Sequence, residues 1–416
     1  MQSLQDQARS ARPATAAAAI RSVFPLLVGI GLALFLQLVV KPNIGDYPAK
    51  LALDIGVAIS LAVSLTMVNG FTGQFSMGHA GFMAIGGYAS GVVSYYGSLR
   101  IWGLNTTHGG LLSGRPMSVD PGSLPLIATG DLLFLTALLV GGLIAAVTGL
   151  IVGLPSLRLR GDYLAIVTLG FGEIVRVMIQ QTSEVKKAEI VPLASDSPFA
   201  GQLVYTWKDR GQQVVAPIHD TWWLSDIHHV GGSLGFTGIP KYTSMFWVYA
   251  VAAVTIFVAY RLKRSTYGRA FLSIREDEIA SEAMGVNTTR YKVWAFVLSA
   301  FFAGVAGALF AHTLGVGLSA ETAGFQKSFD IIIMVVLGGL GSISGAVIAA
   351  IVVTFLPEAL RDIPEYRLII YALALILLMI FRPKGLFGVY EIWDRATWQW
   401  LPWLRRGRAN FTEKKA

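Results

Sequence analysis

The stretch RLKRSTYGRAFLSIREDEIASEAMGVNTTRY, residues 261–291, is a strongly charged island between two long apolar segments. Its charged residues are Arg261, Lys263, Arg264, Arg269, Arg275 and Arg290 on the basic side and Glu276, Asp277, Glu278 and Glu282 on the acidic side. Ionised side chains are costly inside a bilayer. The island is therefore predicted to lie in water while the apolar segments on either side of it cross a membrane.

The second half of the island is predicted to form a short two-faced helix. At about 100° per residue, one side of the helical wheel carries Ile279, Ala280, Ala283 and Met284, and the other carries Glu278, Ser281 and Glu282. Gly285 stands where a helix end favours positive φ, and Asn287 or Thr288 can cap the next helix. Composition alone favours an ordinary solvated connector, whereas the two-faced pattern also suits a docking surface.

The composition identifies a membrane protein. The 416 residues are 54% hydrophobic and only 14% charged, whereas soluble domains carry about 25% charged residues. The chain has no cysteine, which excludes disulfides, thiolate metal sites and a catalytic thiol. The net charge of +8 does not indicate nucleic-acid binding, because the basic residues collect at the ends of apolar segments, as the positive-inside rule of membrane topology requires.

We predict an all-α polytopic integral membrane protein with roughly ten transmembrane segments, some of them broken at glycine-rich stretches. Residues 1–22 are assigned to a cytoplasmic N-terminal tail followed by an uncleaved first span, 23–390 to the transmembrane domain and 391–416 to a cytoplasmic C-terminal tail. Within the domain, 182–243 is assigned to an extracytoplasmic insertion and 261–291 to a cytoplasmic loop. The count of ten assumes that 329–356, interrupted by LGGLGSISG at 337–345, forms two half-length helices.

Three further groups of residues bear on this topology. Arg158 and Arg160 are predicted to mark a cytoplasmic edge, and Trp398, Trp400 and Trp403 are predicted to be interfacial anchors. In the span 157–181, Glu173 and Arg176 are three residues apart and are predicted to pair with each other.

The stretch NGFTGQFSMGHAGFMAIGG, residues 69–87, is apolar but rich in glycine and small polar residues. Such a segment at membrane depth must be buried in protein or line a cavity. It is either a broken or closely packed helix beside a translocation path, or simple small-residue packing. His79 is taken as the only histidine within an apolar segment, and it is predicted to be a hydrogen-bonded packing residue.

The sequence contains no motif for bond chemistry. It lacks a P-loop lysine motif, a zincin helix, a serine elbow and a dinucleotide fingerprint, so we predict that the chain is not an enzyme and does not hydrolyse ATP itself. His228 and His229 near Asp226 suggest a metal site, but nothing else has ligand spacing, and no metal site is predicted.

Several of these segments resemble a known family. LRLRGDYLAIVTLGFGEIVRVM, GRAFLSIREDEIASEAMGVNTTRYKVWAFVLSAFFAGVAGALFAH and IIIMVVLGGLGSISGAVIAA look like the LivM-type permease subunit of ABC importers for branched-chain amino acids. NGFTGQFSMGHAGFMAIGGYASG is similar to the second-span region of that family. The resemblance covers roughly residues 50–180 and 230–390. It implies a multi-pass protein of the bacterial inner membrane that moves leucine, isoleucine and valine.

The resemblance also implies partners and site residues. The partners are a LivH-like permease subunit, two cytoplasmic ABC ATPases that hold ATP and magnesium, an extracytoplasmic solute-binding protein and membrane lipid, with no cofactor on this chain and no nucleic acid. ATPase coupling is assigned to Arg275, Glu276, Asp277, Glu278, Ile279, Ala283, Met284 and Gly285. The substrate pathway is assigned to Asn69, Gly73, Gln74, Ser76, Gly78 and His79, with Asp162, Tyr163 and Glu173 as further candidates.

One departure from the family pattern concerns the outer face. Family members usually carry a Thr-Gly-Gly segment soon after the GEIVR helix, whereas here the Gly-Gly element appears only at 231. Residues 183–230 therefore look like an insertion. The alternatives left open are a permease for urea or another small polar solute, and a self-contained channel or ion-coupled carrier in which the island is only a connector.

Overall fold

The structure is a computed structural model that describes residues 16–103, 107–113, 125–157, 162–190, 203–209, 212–217, 226–313, 317–361, 363, 365–382, 385–388 and 391–392. The predicted edge arginines Arg158 and Arg160 and the tryptophans Trp398, Trp400 and Trp403 lie outside these residues. Within them, six helical segments are long and apolar enough to cross a membrane: Val23–Asn43, Asp46–Gly70, Thr129–Ser156, Tyr163–Gln180, Met245–Arg264 and Thr288–Thr313.

The helices are joined by short connections except at 103–128 and 181–244. In chain order they are α1 Ala16–Phe35, α2 Asp46–Leu65, α3 His79–Trp102, α4 Thr129–Ser156, α5 Asp162–Gln180, α6 Met245–Arg264, α7 Thr266–Glu276, α8 Glu278–Ala283, α9 Thr288–Thr313, α10 Phe325–Gly338, α11 Ile343–Ala359 and α12 Arg367–Phe381. The helix α1 continues through a π-helical turn to Asn43, and α2 continues through a π-helical turn to Gly70. The helical fold class predicted for the membrane part is confirmed.

The core of the molecule is a bundle in which α3 and α9 run parallel and α4 runs antiparallel to both. Phe82 packs edge-on against Phe296 near one end of the α3–α9 pair, and Ser94 meets His312 near the other. Where α3, α4 and α9 approach most closely the residues are Gly86, Gly141 and Gly304; a β-carbon at Gly86 would lie 2.3 Å from the Gly304 Cα. Small residues allow this approach, as they do between helices in membranes.

The predicted division of residues 329–356 is confirmed. The helix α10 ends at Gly338 and α11 begins at Ile343, with a sharp turn between them. The 14 residues of α10 rise about 21 Å, less than the roughly 30 Å of a bilayer core. Two short helices in place of one span fit the expected count of about ten segments, and that number stays a prediction.

The predicted insertion at 182–243 contains a small antiparallel sheet, which was not predicted from the sequence. Its strands are β1 Lys187–Ile190, β2 Leu203–Asp209 and β3 Gln212–Pro217, in the order β1-β2-β3. The all-α description therefore applies to the membrane part and not to the insertion. Strands this short carry a weak periodic signal, and their pairing partners are set by tertiary contacts.

The two ends of the insertion meet. The Ser183 amide donates to the His228 carbonyl at 2.9 Å, and the Gly231 amide donates to the Ser183 carbonyl at 2.9 Å. The Gly232 amide donates to the Thr182 hydroxyl at 3.1 Å. Thr182 thus lies beside Gly231 and Gly232, so the intervening residues leave and rejoin the bundle at one point.

Candidate functional site

The helix α8 is capped at both ends. The Asp277 carboxylate accepts from the amides of Ile279 at 2.9 Å and Ala280 at 3.0 Å. At the other end Gly285 adopts φ 87°, the left-handed conformation that glycine adopts without strain. The Asn287 side chain then accepts from the Arg290 amide at 3.0 Å and caps α9. The predicted helix end and the predicted cap are confirmed.

The helix α8 presents its apolar side outward. Ser281 is 5% exposed, whereas Ile279 is 67% and Met284 85% exposed. On the inner side Glu278 forms an ion pair with the buried Lys292 of α9. A surface helix of a globular protein normally buries its apolar side. The inverted orientation leaves an apolar surface in water, which is typical of a docking site.

The island contains a second helix, α7, that the sequence analysis did not predict. Ser265 caps it, accepting from the Gly268 amide at 3.2 Å. At its end the Arg275 Nη1 donates to the Gly70 carbonyl at 2.9 Å, and the Arg275 Nη2 contacts the Glu276 carboxylate at 3.0 Å. The side chain of Arg275 thus reaches from the island to the end of α2.

Arg275 stands at the meeting point of the two glycine-rich breaks. A β-carbon at Gly70 would lie 2.7 Å from the Gly341 amide nitrogen, and one at Gly73 would lie 2.7 Å from the Arg275 Cγ. Tertiary packing thus places the end of the α2 extension, in the glycine-rich break at 69–87, directly against the α10–α11 turn, in the break at 337–345.

Lys263 and Glu391 complete this junction. The Lys263 Nζ donates to the Gly341 carbonyl at 2.7 Å and pairs with the Glu391 carboxylate at 2.6 Å. Glu391 also accepts from the amides of Ile343 at 3.0 Å and Ser344 at 2.9 Å. Its carboxylate therefore accepts from N–H groups that have no partner within α11. Its negative charge is also favoured at the start of a helix. We call Lys263, Arg275 and Glu391, with the carbonyls of Gly70 and Gly341, the cytoplasmic clasp, after the predicted location of the island.

The predicted pathway residues between 69 and 79 lie in the loop between the α2 extension and α3 and in the helix ends on either side of it. The Asn69 Oδ1 accepts from the Ser76 amide at 3.2 Å. The Asn69 Nδ2 and the Gln74 Oε1 are buried and have no hydrogen-bond partner among the described residues. A β-carbon at Gly78 would lie 2.4 Å from the Thr168 carbonyl oxygen, so this loop is packed tightly against α5. Buried polar atoms of this kind are uncommon and mark the loop as a candidate site.

His79 is a hydrogen-bonded packing residue, as predicted. It is buried, and its Nε2 lies 2.8 Å from the Ser64 hydroxyl of α2. It is not, however, the only histidine in an apolar segment: His312 is buried in α9 with its Nε2 2.7 Å from the Ser94 hydroxyl. His312 was not predicted from the sequence because it lies near the end of its span.

The remaining pathway candidates are not gathered around this loop. Tyr163 is 70% exposed on the surface of α5. The predicted Glu173–Arg176 pair is confirmed at 2.6 Å, and the Glu173 carboxylate also accepts from the Phe325 amide at 3.0 Å, which caps α10. Asp162 begins α5, and its side chain lies outside the described residues. Glu173 has a structural role that the sequence could not show, because α10 lies far along the chain.

A second polar cluster lies at the base of the insertion. The Asp226 carboxylate pairs with the Lys186 Nζ at 3.0 Å and with the Arg100 Nη2 at 2.7 Å, while Lys186 also lies 4.9 Å from the centre of the Trp207 ring. We call Arg100, Lys186 and Asp226 the outer knot. Asp226 is thus engaged by two cations, and the described residues contain no group of three metal-ligating side chains. Burial lowers the pKa of the neighbouring His229 imidazole.

Among the described residues, six helical segments long and apolar enough to cross a membrane define a multi-pass membrane protein. Comparison with known proteins gives the family. The family model described as branched-chain amino acid transport system, permease component, matches residues 47–380. The chain belongs to this family of membrane permease components.

The curated relatives agree with this assignment. The chain is 33% identical over 338 residues to the high-affinity branched-chain amino acid transport system permease protein LivM of Escherichia coli K12, covering 79% of this chain and 67% of that protein. LivM of Salmonella typhimurium is 32% identical with the same coverage. LivH of Salmonella typhimurium is 33% identical over 170 residues, 39% of this chain and 53% of that protein. No solved structure matches the chain. The predicted resemblance is confirmed.

Proposed function

We propose that this chain is one permease subunit of an ATP-driven importer that moves leucine, isoleucine and valine across the bacterial inner membrane. A LivH-like permease would form the other half of the path, and an extracytoplasmic binding protein would deliver the solute. Two cytoplasmic ABC ATPases would hold ATP and magnesium, with no cofactor on this chain. The family and its LivM and LivH relatives support the substrate class and the permease pair.

The outward apolar side of α8 is the observation that carries this proposal. Ile279, Ala283 and Met284 are exposed, while the polar Ser281 is buried against the chain. Covering such a surface with a protein partner removes apolar area from water. An ATPase cleft that receives α8 would gain that contribution, and the exposed Glu276 beside it would orient the contact by charge.

The cytoplasmic clasp would carry the motion from α8 into the membrane. The helices α7 and α9 flank α8, and Arg275 at the end of α7 bonds the Gly70 carbonyl. A displacement of α8 would therefore pull on the end of α2 and on the turn between α10 and α11 together. Nucleotide binding would supply the free energy, and the chain itself would make and break no covalent bond.

The loop at 69–79 is the proposed place where this motion affects the solute. The buried Asn69 Nδ2 is a donor and the buried Gln74 Oε1 an acceptor. A zwitterion offers a carboxylate to a donor and an ammonium group to an acceptor. Weak polar contacts of this kind would let an amino acid pass without being held, with selection left to the binding protein.

Uptake into vesicles tests the proposal directly. Vesicles holding this chain, its neighbouring permease, the ATPases and the binding protein are given labelled leucine or labelled urea, with and without ATP. We expect leucine to accumulate only with ATP. Urea accumulation would retain the mechanism and change the substrate, and uptake that needs no ATP but collapses with the ion gradient would replace the importer with a channel or carrier.

A matched pair of variants tests the docking surface. Met284→Asp places a charge in the apolar surface of α8, whereas Thr289→Asp places the same charge on an exposed residue of α9 nearby. We expect Met284→Asp to lower ATP-dependent uptake roughly tenfold or more, because a desolvated unpaired charge costs binding free energy. Thr289→Asp should leave uptake near the wild-type rate. Equal uptake in both variants would remove α8 from the coupling contact.

A further inference from the structure

The surface between α1 and α6 contains a long crevice that the transport mechanism does not use. The crevice runs from Leu32 and Ala252 to Pro25 and Phe257, with Val347 and Ile351 of α11 along one wall. At Gly29 the two helices nearly touch, since a β-carbon there would lie 2.6 Å from the Ala253 Cβ. The helix α1 is largely uncovered by the rest of the chain, so the crevice opens toward the bilayer.

A second depression continues the crevice to the cytoplasmic surface. It shares Pro25, Phe257 and Tyr260 with the crevice and is lined beyond them by Arg261 and Arg264. Both arginines are exposed, and neither forms an ion pair with a described acidic residue. The Arg264 guanidinium lies 4.4 Å from the centre of the Tyr260 ring, which holds it beside the mouth of the crevice.

The three basic residues at the end of α6 therefore point in two directions. Lys263 faces inward and belongs to the cytoplasmic clasp, whereas Arg261 and Arg264 face the crevice. An apolar groove that ends in two cations matches a molecule with an acyl chain and an anionic headgroup. From Ala252 to Arg264 the helix rises about 18 Å, comparable to one extended acyl chain.

We infer that this crevice binds one anionic phospholipid of the cytoplasmic leaflet. An acyl chain lies between α1, α6 and α11, and the phosphate is held by Arg261 and Arg264. Basic pockets between membrane helices on the cytoplasmic side are the type of site that anionic headgroups occupy. Because Arg264 and Lys263 are adjacent, a bound lipid steadies the end of α6 from which the cytoplasmic clasp begins. This inference concerns binding and does not depend on which solute is carried.

Retention of lipid by the purified full-length chain tests the inference. The chain is reconstituted into nanodiscs of equal phosphatidylglycerol and phosphatidylethanolamine, released, and examined by native mass spectrometry. We expect the wild type to retain phosphatidylglycerol preferentially. Arg261→Gln with Arg264→Gln should reduce that preference roughly tenfold. Arg269→Gln removes one exposed cation of the neighbouring α7 and should leave the preference unchanged.

A second pair of variants tests the acyl groove. Ile351→Trp fills the crevice and should reduce retention of both lipids, whereas Phe355→Trp changes an exposed residue of the same helix outside the crevice lining and should not. A photo-crosslinker at Leu32 in native membranes should form lipid adducts. The inference is overturned by a wild type without preference between the lipids, by arginine variants that retain phosphatidylglycerol as well as the wild type, or by a Leu32 adduct with another protein chain.

Discussion

The outer knot and the cytoplasmic clasp contain similar charged groups, but those groups are bonded differently. Each contains one buried carboxylate and two cations. In the outer knot both cations, Lys186 and Arg100, pair with the same carboxylate, Asp226. In the clasp Lys263 pairs with Glu391 and donates to the Gly341 carbonyl, whereas Arg275 pairs with Glu276 and donates to the Gly70 carbonyl. Glu391 also accepts hydrogen bonds from two main-chain amides.

This difference distinguishes a fixed attachment from a contact that can rearrange as helices move. Side-chain charges that satisfy one another in a buried place can move only at a large desolvation cost. Bonds from a side chain to the carbonyl of a glycine-rich turn can be exchanged for other carbonyls or for water as the turn changes conformation. The knot thus suits a fixed attachment of the insertion, and the clasp suits a place where helices shift relative to one another.

Removal of Asp226 should produce the largest effect. Asp226→Ala leaves Lys186 buried without its carboxylate, and breaking such a pair costs about 3–5 kcal/mol. We expect the insertion to detach, measured as faster hydrogen exchange and proteolysis of residues 184–230. Glu189→Ala removes an exposed acid from β1 and should leave protection unchanged. Equal protection in the Asp226 variant would mean that the knot is not the anchor.

Replacement of Arg275 should affect transport more than stability. Arg275→Gln removes a charged donor to the Gly70 carbonyl, worth about 2 kcal/mol. We expect ATP-dependent uptake to fall at least fivefold while the amount of protein in the membrane changes little. Arg290→Gln, an exposed change at the start of α9, is the control. A variant that transports normally would contradict the role of the clasp as a joint.

Neutralising Glu391 should have an intermediate effect confined to the clasp. Glu391→Gln keeps an acceptor for the α11 amides but loses the charge that pairs with Lys263. We expect a loss of about 1–2 kcal/mol in local stability, detected as faster exchange of the amides at 337–345. The exposed Glu365→Gln is the matched control. Unchanged exchange at the turn would show that Glu391 does not hold it.

Acidification should have the smallest effect and should act through His229, beside the outer knot. Burial lowers the pKa of His229, with Lys186 nearby acting in the same direction. The folded insertion therefore favours neutral His229, and its stability should decline as the pH falls through about 6.5, the ordinary pKa of histidine. His229→Gln should flatten this dependence in hydrogen exchange of 184–230. An unchanged slope in the variant would assign the dependence to another group.

Local features of the protein were predictable from sequence. The apolar spans, the division of 329–356, the Gly285 helix end and the Glu173–Arg176 pair depend on residues close together in the chain, and the structure has all of them. The sheet of the insertion and the helix α7 were missed, because short elements with mixed composition are decided by what they pack against.

The sequence by itself determined that the chain crosses a membrane, where its water-exposed island lies and which family it belongs to, because hydropathy, charge and motifs are properties of contiguous residues. Only the tertiary structure decided that the two glycine-rich breaks touch, that Arg275, Lys263 and Glu391 converge on them, and that α8 turns its apolar side outward. Each of these depends on contacts between residues far apart in the chain. A helical wheel shows which residues share a side but not which way that side faces.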